Sequence, residues 1–481
     1  MWVKRGLVFG AAVALVIVVA LWFTSRGESC AGRKLSPSQD YLRVILTSPA
    51  GTTFCFEPGV YRLSVPIVPK PNDSFIGEEG AVLDGARRLT FEKIGEFWAA
   101  GGQSQERGMR GRCVEGNLCT RPEALFVNDE EWEQVSSPSE LGEKNFFFDY
   151  AANRILVASD PGSSAEASFA PRAFRGSAPG VTVRNLEIIR FDNAPGSGAV
   201  DLRGPGVQIE GNEIAFNGGV GVCTGDGSSI VNNDVHHQGQ LGLCGSGVDI
   251  VVRGNEISFN NTQGHRYGWE AGGAKWVNTI GLHVSSNYSH DNEGIGLWTD
   301  LNNIDTLYDG NTVSHNLAAG IVHEASYGAV IRNNLIFGNG VSGVVPYDGA
   351  GVKIAESPDV EIHDNEILRN KSGIAVTFRD RSATSVAPVR PVYGAHESVR
   401  LFVHDNLIDA GSSGFLAGFV SIVPTPRFDL FSSQNGNVFE NNSYRVSATR
   451  SQSWRWTDHV TWEEWRALGF DSQSTVIQMQ P

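Results

Sequence analysis

Within the 481 residues of the chain, the side chains fit for chemistry gather in one stretch. Trp269, Glu270, Lys275 and Trp276 are followed by Trp298 and Asp300, then His323 and Glu324, then Lys353 and Glu356, with Arg379 beyond. Two carboxyl groups can cleave a glycosidic bond, one attacking the sugar and the other acting as acid and then base, when about 5–5.5 Å separates them. That division requires different surroundings, so that one group stays ionised while the other holds a proton. Lys275, His323, Lys353 and Arg379 offer a different chemistry, in which a base takes the C5 proton of a uronate and a cation neutralises its carboxylate. Trp298, two residues before Asp300, offers a wall and a stacking face for a sugar ring.

Each residue also has a plainer reading. An Asp at a bend is commonly a solvated turn residue, and Trp276 and Trp298 are the type that fills cores. Lys275 and Lys353 could simply neutralise nearby carboxylates, and His323 alone reads as a satisfied turn histidine. His236, His237 and His265 lack partners at metal-ligand spacing, so neither a metal nor a cofactor is expected. Company decides the matter: carboxylates, cations and aromatics recur at a fixed interval.

That interval comes from a repeat. Of 31 Asn, 26 fall between Asn185 and Asn442. The unit reads Asn-x-(Ile/Val/Leu) with a second Asn five residues later, as at Asn212/Asn217, Asn255/Asn260, Asn287/Asn292, Asn311/Asn316, Asn334/Asn339 and Asn365/Asn370. From Asn185 the first Asn residues are spaced 27, 21, 22, 32, 24, 23, 31 and 41 apart, and short period-2 apolar runs lie between them. Gly and Asn break the chain too often for long helices, so the runs predict strands of a solenoid. The expected fold is all-β, a right-handed parallel β-helix. Its coils stack about 4.8 Å apart, with Asn ladders at the bends. Longer spacings predict loops at Thr262–Gly268, Val341–Ala350 and Asp380–Glu397, walling a binding surface.

Counting back eleven residues from each repeat Asn lands on Cys244, Trp276, Asp300, His323 and Ile354. This register puts Glu270, Lys275, Trp276, Trp298, Asp300, His323, Glu324, Lys353 and Glu356 on one face. Asp300 and Glu324 then sit on adjacent coils, offset by one residue, with their carboxyl groups roughly 5–6 Å apart.

The run Trp269-Glu270-Ala271-Gly272-Gly273-Ala274-Lys275, then Gly296-Leu297-Trp298-Thr299-Asp300, then His323-Glu324, resembles the right-handed β-helix glycoside hydrolases of family 120. The resemblance covers about residues 269–337. It implies a β-xylosidase-like retaining mechanism, with Asp300 as nucleophile and Glu324 as general acid/base. A polysaccharide lyase or uronate epimerase on the same fold is the alternative class, and a non-catalytic glycan-binding surface solenoid is the third.

Composition bounds the rest. With 38 Lys+Arg against 53 Asp+Glu the net charge is −15, which disfavours nucleic acid as a partner. Lys4 and Arg5 precede an uncharged stretch from Gly6 to Phe23, read as a signal-anchor or signal peptide over residues 1–30. The chain is then exported, held at the outer side of the cytoplasmic membrane by that segment or secreted. The six Cys fit export, the cheapest pairings being Cys30 with Cys55, Cys113 with Cys119 and Cys223 with Cys244. Opening coils are expected over residues 31–90, an inserted β unit over 91–170, the main solenoid over 171–445 and a helical cap over 446–481. The cap is signalled by Thr461 and Glu464 in a capping box and by Gly469 as a stop. A monomer acting on an oligo- or polysaccharide is the expected state.

Overall fold

The computed structural model describes residues 30–108, 110–380, 390–411, 414–423, 427–447 and 453–479. The expected signal-anchor, residue 30 apart, lies outside them. Among the described residues no helix is long and apolar enough to cross a membrane.

The chain forms a parallel β-helix. Three rows of parallel strands run along the solenoid among the described residues, two of them merged in a sheet of 25 strands and the third a sheet of 13, with strands pairing to their counterparts one coil on. The Asn repeat supplies the bends. Asn212, Asn233, Asn255, Asn287, Asn311, Asn334, Asn365, Asn406 and Asn442 are all buried. Each but the last donates its side-chain amide to the carbonyl oxygen of the next at 2.9–3.0 Å. A second ladder runs through Asn260, Asn292, Asn316, Asn339 and Asn370. Asn suits both positions because one amide satisfies a backbone carbonyl below and a side chain above, deep inside the coil. Between the ladders, Val, Ile and Leu from every coil form one continuous core.

Asn311 shows what a rung is worth. Its oxygen accepts from the backbone N–H and the amide of Asn287, both at 3.0 Å, while its own amide reaches the Val284 carbonyl at 2.9 Å. Asn311→Ala strands the buried Asn287 N–H and the Val284 carbonyl, so it should destabilise the fold by about 3 kcal/mol. The exposed neighbour Asn333, in a left-handed turn, should cost about 1 kcal/mol or less as Asn333→Ala. Denaturant titrations of the two variants measure the difference; equal losses would mean the ladder carries no special share.

Both ends are closed. The helix Tyr41–Thr47, which the strand pattern did not announce, buries Ile45 on the first coil. At the far end the helix Trp462–Ala467 starts at a complete Thr461/Glu464 capping box. Its Trp465 is fully buried and donates to Asp471 Oδ2 at 2.7 Å.

Residues 86–168 leave the solenoid and form a separate sheet of eight strands with its own apolar cluster. Arg107 ties this insert back: its Nε lies 2.9 Å from the buried Asp192 and its Nη2 donates to the Phe169 carbonyl at 2.6 Å. Disulfides join Cys30–Cys55, Cys113–Cys119 and Cys223–Cys244. Three such bonds belong to an oxidising, extracytoplasmic compartment.

Candidate active site

Four consecutive strands carry the site: Gly272–Ile280, Ile295–Asp300, Ile321–Glu324 and Ala350–Ala355. Their register is direct. Asp300 pairs with Glu324, Thr299 with His323, and Trp298 with Val322. Lys275 lies opposite Trp298 and Val322 opposite Lys353. The one-residue offset expected between the two carboxylates is therefore absent. The turn after Asp300 is one residue longer than the turn after Glu324. Leu301 and Asn302 both take the left-handed region in the first, but only Ala325 does in the second. The rung Asn303 to Ser326, 3.0 Å, then restores the register. Counting back from the Asn ladder crosses that extra residue and misplaces the strand by one.

Period-2 alternation divides the expected face in two. Lys275, Trp298, Asp300, Glu324 and Lys353 point out of the coil. Trp276 and His323 point in and have no exposed surface, so both are corrected from groove residues to core residues. Trp276 belongs to the solenoid core. His323 Nδ1 shares a hydrogen bond of 2.8 Å with the Thr299 hydroxyl, which also accepts from Tyr308 at 3.1 Å.

Outside, Lys275 Nζ stands 2.9 Å from Asp300 Oδ2 and 3.8 Å from the centre of the Trp298 ring. An ammonium so placed orients the Asp300 carboxylate. Glu324, one strand away, is half-buried, with Ala355 next to it on the following strand. Trp298 itself is packed among Ile295, Ala318, Ala319, Val322, Val344 and Tyr267, so its ring is a fixed wall. Lys353 turns aside to Asp348 Oδ1 at 2.7 Å, and the Tyr267 hydroxyl donates to Asp348 Oδ2 at 3.2 Å. Burial and Asp348 together push the Tyr267 phenol up to about 12. This bond joins two of the three expected loops over the same strands.

The remaining candidates are peripheral. Glu356 is buried in a left-handed turn and accepts from the Arg379 backbone N–H at 2.8 Å. The Arg379 side chain is exposed. Of the third loop, residues 381–389 lie outside the described residues. Its later part packs on the coil corner just past Asp300, where the His396 Nε2 donates to Asn302 Oδ1 at 3.0 Å. Trp269 and Glu270 stand half-exposed at the opposite edge.

Beside them comes a contribution that no local spacing could signal. A strap from the insert, held by Cys113–Cys119, pairs along residues 264–266, with Val114 N–H donating to the Gly264 carbonyl at 2.9 Å. It brings Arg110 to 3.4 Å from Glu270 and 5.8 Å from the Trp269 ring. Asp348, Tyr267 and Arg110 are thus the site neighbours that sequence reasoning missed. The loops carrying Tyr267 and Asp348 were flagged, through their long repeat spacing; Arg110 was not.

The buried histidines set the acid response. Burial lowers His323 from 6.5 to about 3 and His265 from 6.5 to about 4. Both are neutral in the fold and free to take a proton once unfolded. Their share of the stability is therefore complete above pH 6.5 and falls as pH drops from there toward 3. His323→Leu should flatten this slope in urea titrations run across that range; an unchanged slope would place the acid sensitivity elsewhere.

The sequence profile described as "Right handed beta helix region" matches residues 198–357. No curated protein sequence matches the chain. Among solved structures it is similar to that described as the complex structure of XylC with xylose, at 14% identity and a TM-score of 0.63, covering 92% of this chain and 83% of that one. It is also similar to the A-module of the Azotobacter vinelandii mannuronan C-5 epimerase AlgE4, at 15% identity and a TM-score of 0.52, covering 91% and 94%. These likenesses show the fold, a right-handed parallel β-helix.

Proposed function

We propose that the protein is an extracytoplasmic glycoside hydrolase that cleaves with retention of configuration. The observation that carries this reading is the direct pairing of Asp300 with Glu324 on the outer face of adjacent strands. Neighbouring strands lie about 4.8 Å apart, close to the separation that retaining cleavage needs.

In this reading Asp300 attacks the anomeric carbon while Glu324 gives its proton to the departing glycosidic oxygen. Glu324 then takes a proton from water as that water releases the sugar from Asp300. Lys275 holds the nucleophile, and Trp298 forms the wall against which the ring lies. The likeness to a structure holding xylose supports a sugar as substrate.

The lyase or epimerase reading has a likeness of its own, to AlgE4. Its proton-abstracting base is harder to find here. His323 is sealed inside the coil, and the ammonium of Lys275 is engaged by Asp300. Product analysis on a panel of neutral and uronate glycans decides between them. New reducing ends support the hydrolase. An unsaturated, ultraviolet-absorbing product means a lyase, and inverted C5 centres without cleavage mean an epimerase. Binding with no product would leave a glycan-binding solenoid.

A further inference from the structure

The carboxylate assigned to attack has almost no open surface. Asp300 is 7% exposed, and Trp298 beside it 4%. A sugar ring cannot lie against Trp298 while Val344 and Tyr267 pack there. Of these two covers, one is tied down and the other is not.

Tyr267 is held. Its hydroxyl bonds to Asp348 Oδ2 at 3.2 Å, and Asp348 Oδ1 takes Lys353 at 2.7 Å. Next to Asp348, Tyr347 packs on Ala350, Ala375, Phe415 and Val420. Val344 belongs to residues 341–345, which lie in no helix or strand, and only Val344 among them turns inward. No N–H group of these five residues donates a hydrogen bond among the described residues. The one side chain bonded to them there is Lys371, whose Nζ donates to the Val344 carbonyl.

The backbone is jointed to match. Gly340 and Gly343 both take the left-handed region, at φ 65° and 76°. Gly340 stands so close to Gly349 that a Cβ on it would lie 2.1 Å from the Gly349 Cα. The segment therefore rises from a narrow stem, the shape of an Ω-loop. Beside Val341 and Ser342 an open cleft, lined by Glu293, His315, Leu317 and Gly338, gives it room to swing. A segment without backbone bonds opens at far lower cost than the Asn ladder beneath it.

We infer that residues 341–345 are a flap, shut over Trp298 in this structure, whose opening admits the substrate, and that Lys371 is the positioning residue that latches it. The inference deepens the glycosidase reading and rests on it only for what enters.

Hydroxyl-radical footprinting of the full protein, followed by mass spectrometry, tests it without any glycan. Trp298 should oxidise slowly in the wild type and about tenfold faster in Lys371→Met, which loses the bond of a charged donor. Lys371→Arg keeps a donor and should restore most of the protection. Val344→Ala trims the cover itself and should uncover Trp298 with Lys371 in place. Trp276, sealed in the core, is the internal standard. Equal oxidation of Trp298 in wild type and Lys371→Met, or a rise at Trp276 in step with it, would overturn the inference. A Trp298 that opens through Lys371 in a protein that cleaves no glycoside would keep the flap and refute the hydrolase; cleavage with Trp298 indifferent to Lys371 would do the reverse.

Discussion

Asp300→Asn should remove turnover even of an activated aryl glycoside, by about four orders of magnitude or more in kcat. The amide is nearly isosteric and can still face Lys275, so the fold and the Trp298 wall should stay as they are. What it lacks is a nucleophilic oxygen. Good leaving groups do not help, because the missing step is attack and not protonation. Asp300→Gly opens room for azide in the vacated place, and a glycosyl azide of inverted configuration should then form. Unaltered turnover in Asp300→Asn, with folding confirmed by its denaturant midpoint, would refute the assignment. The removal of charge also leaves the Lys275 ammonium without its counter-ion, so stability is the necessary control.

Glu324→Gln should behave differently, and the difference identifies the roles. A substrate with a poor leaving group loses about 10²–10⁴ in rate, since the amide cannot donate a proton to the departing oxygen. A nitrophenyl leaving group needs little help, so the first step persists and the glycosyl-enzyme accumulates as a burst. Water then attacks slowly for want of a base. Azide needs no base, so it should rescue the second step and give a glycosyl azide of retained configuration. If Glu324→Gln leaves activity intact while Lys275→Met abolishes it, proton abstraction replaces nucleophilic attack and the lyase reading takes over.

The sequence by itself determined the solenoid. The laddered Asn bonds to its own copy one coil away while the residue before it takes the left-handed bend, so its recurrence gives both the coil length and the line along which coils stack. Strand runs between Asn residues, the three disulfide pairings and the Thr461 capping box are local or nearly local features, legible for the same reason. The sequence also brought the candidate carboxylates to adjacent coils, because positions in a stacked repeat are related by counting.

Counting is where it stopped. Whether a side chain points into the core or into the groove changes with each residue, and one extra turn residue beside Asn302 shifts the register by one. That single residue decides that Glu324, and not His323, stands opposite Asp300. Which cation serves which carboxylate was likewise beyond reach: Lys275 goes to Asp300 and Lys353 to Asp348, although both occupy the same outward row. Their choice depends on loops of unequal length folding over the strands. Arg110 is the extreme case, carried to Glu270 from 160 residues away by an insert with its own core. No spacing encodes such a contact; it exists only because Arg107, Asp192 and the Cys113–Cys119 strap fix where the insert sits on the solenoid.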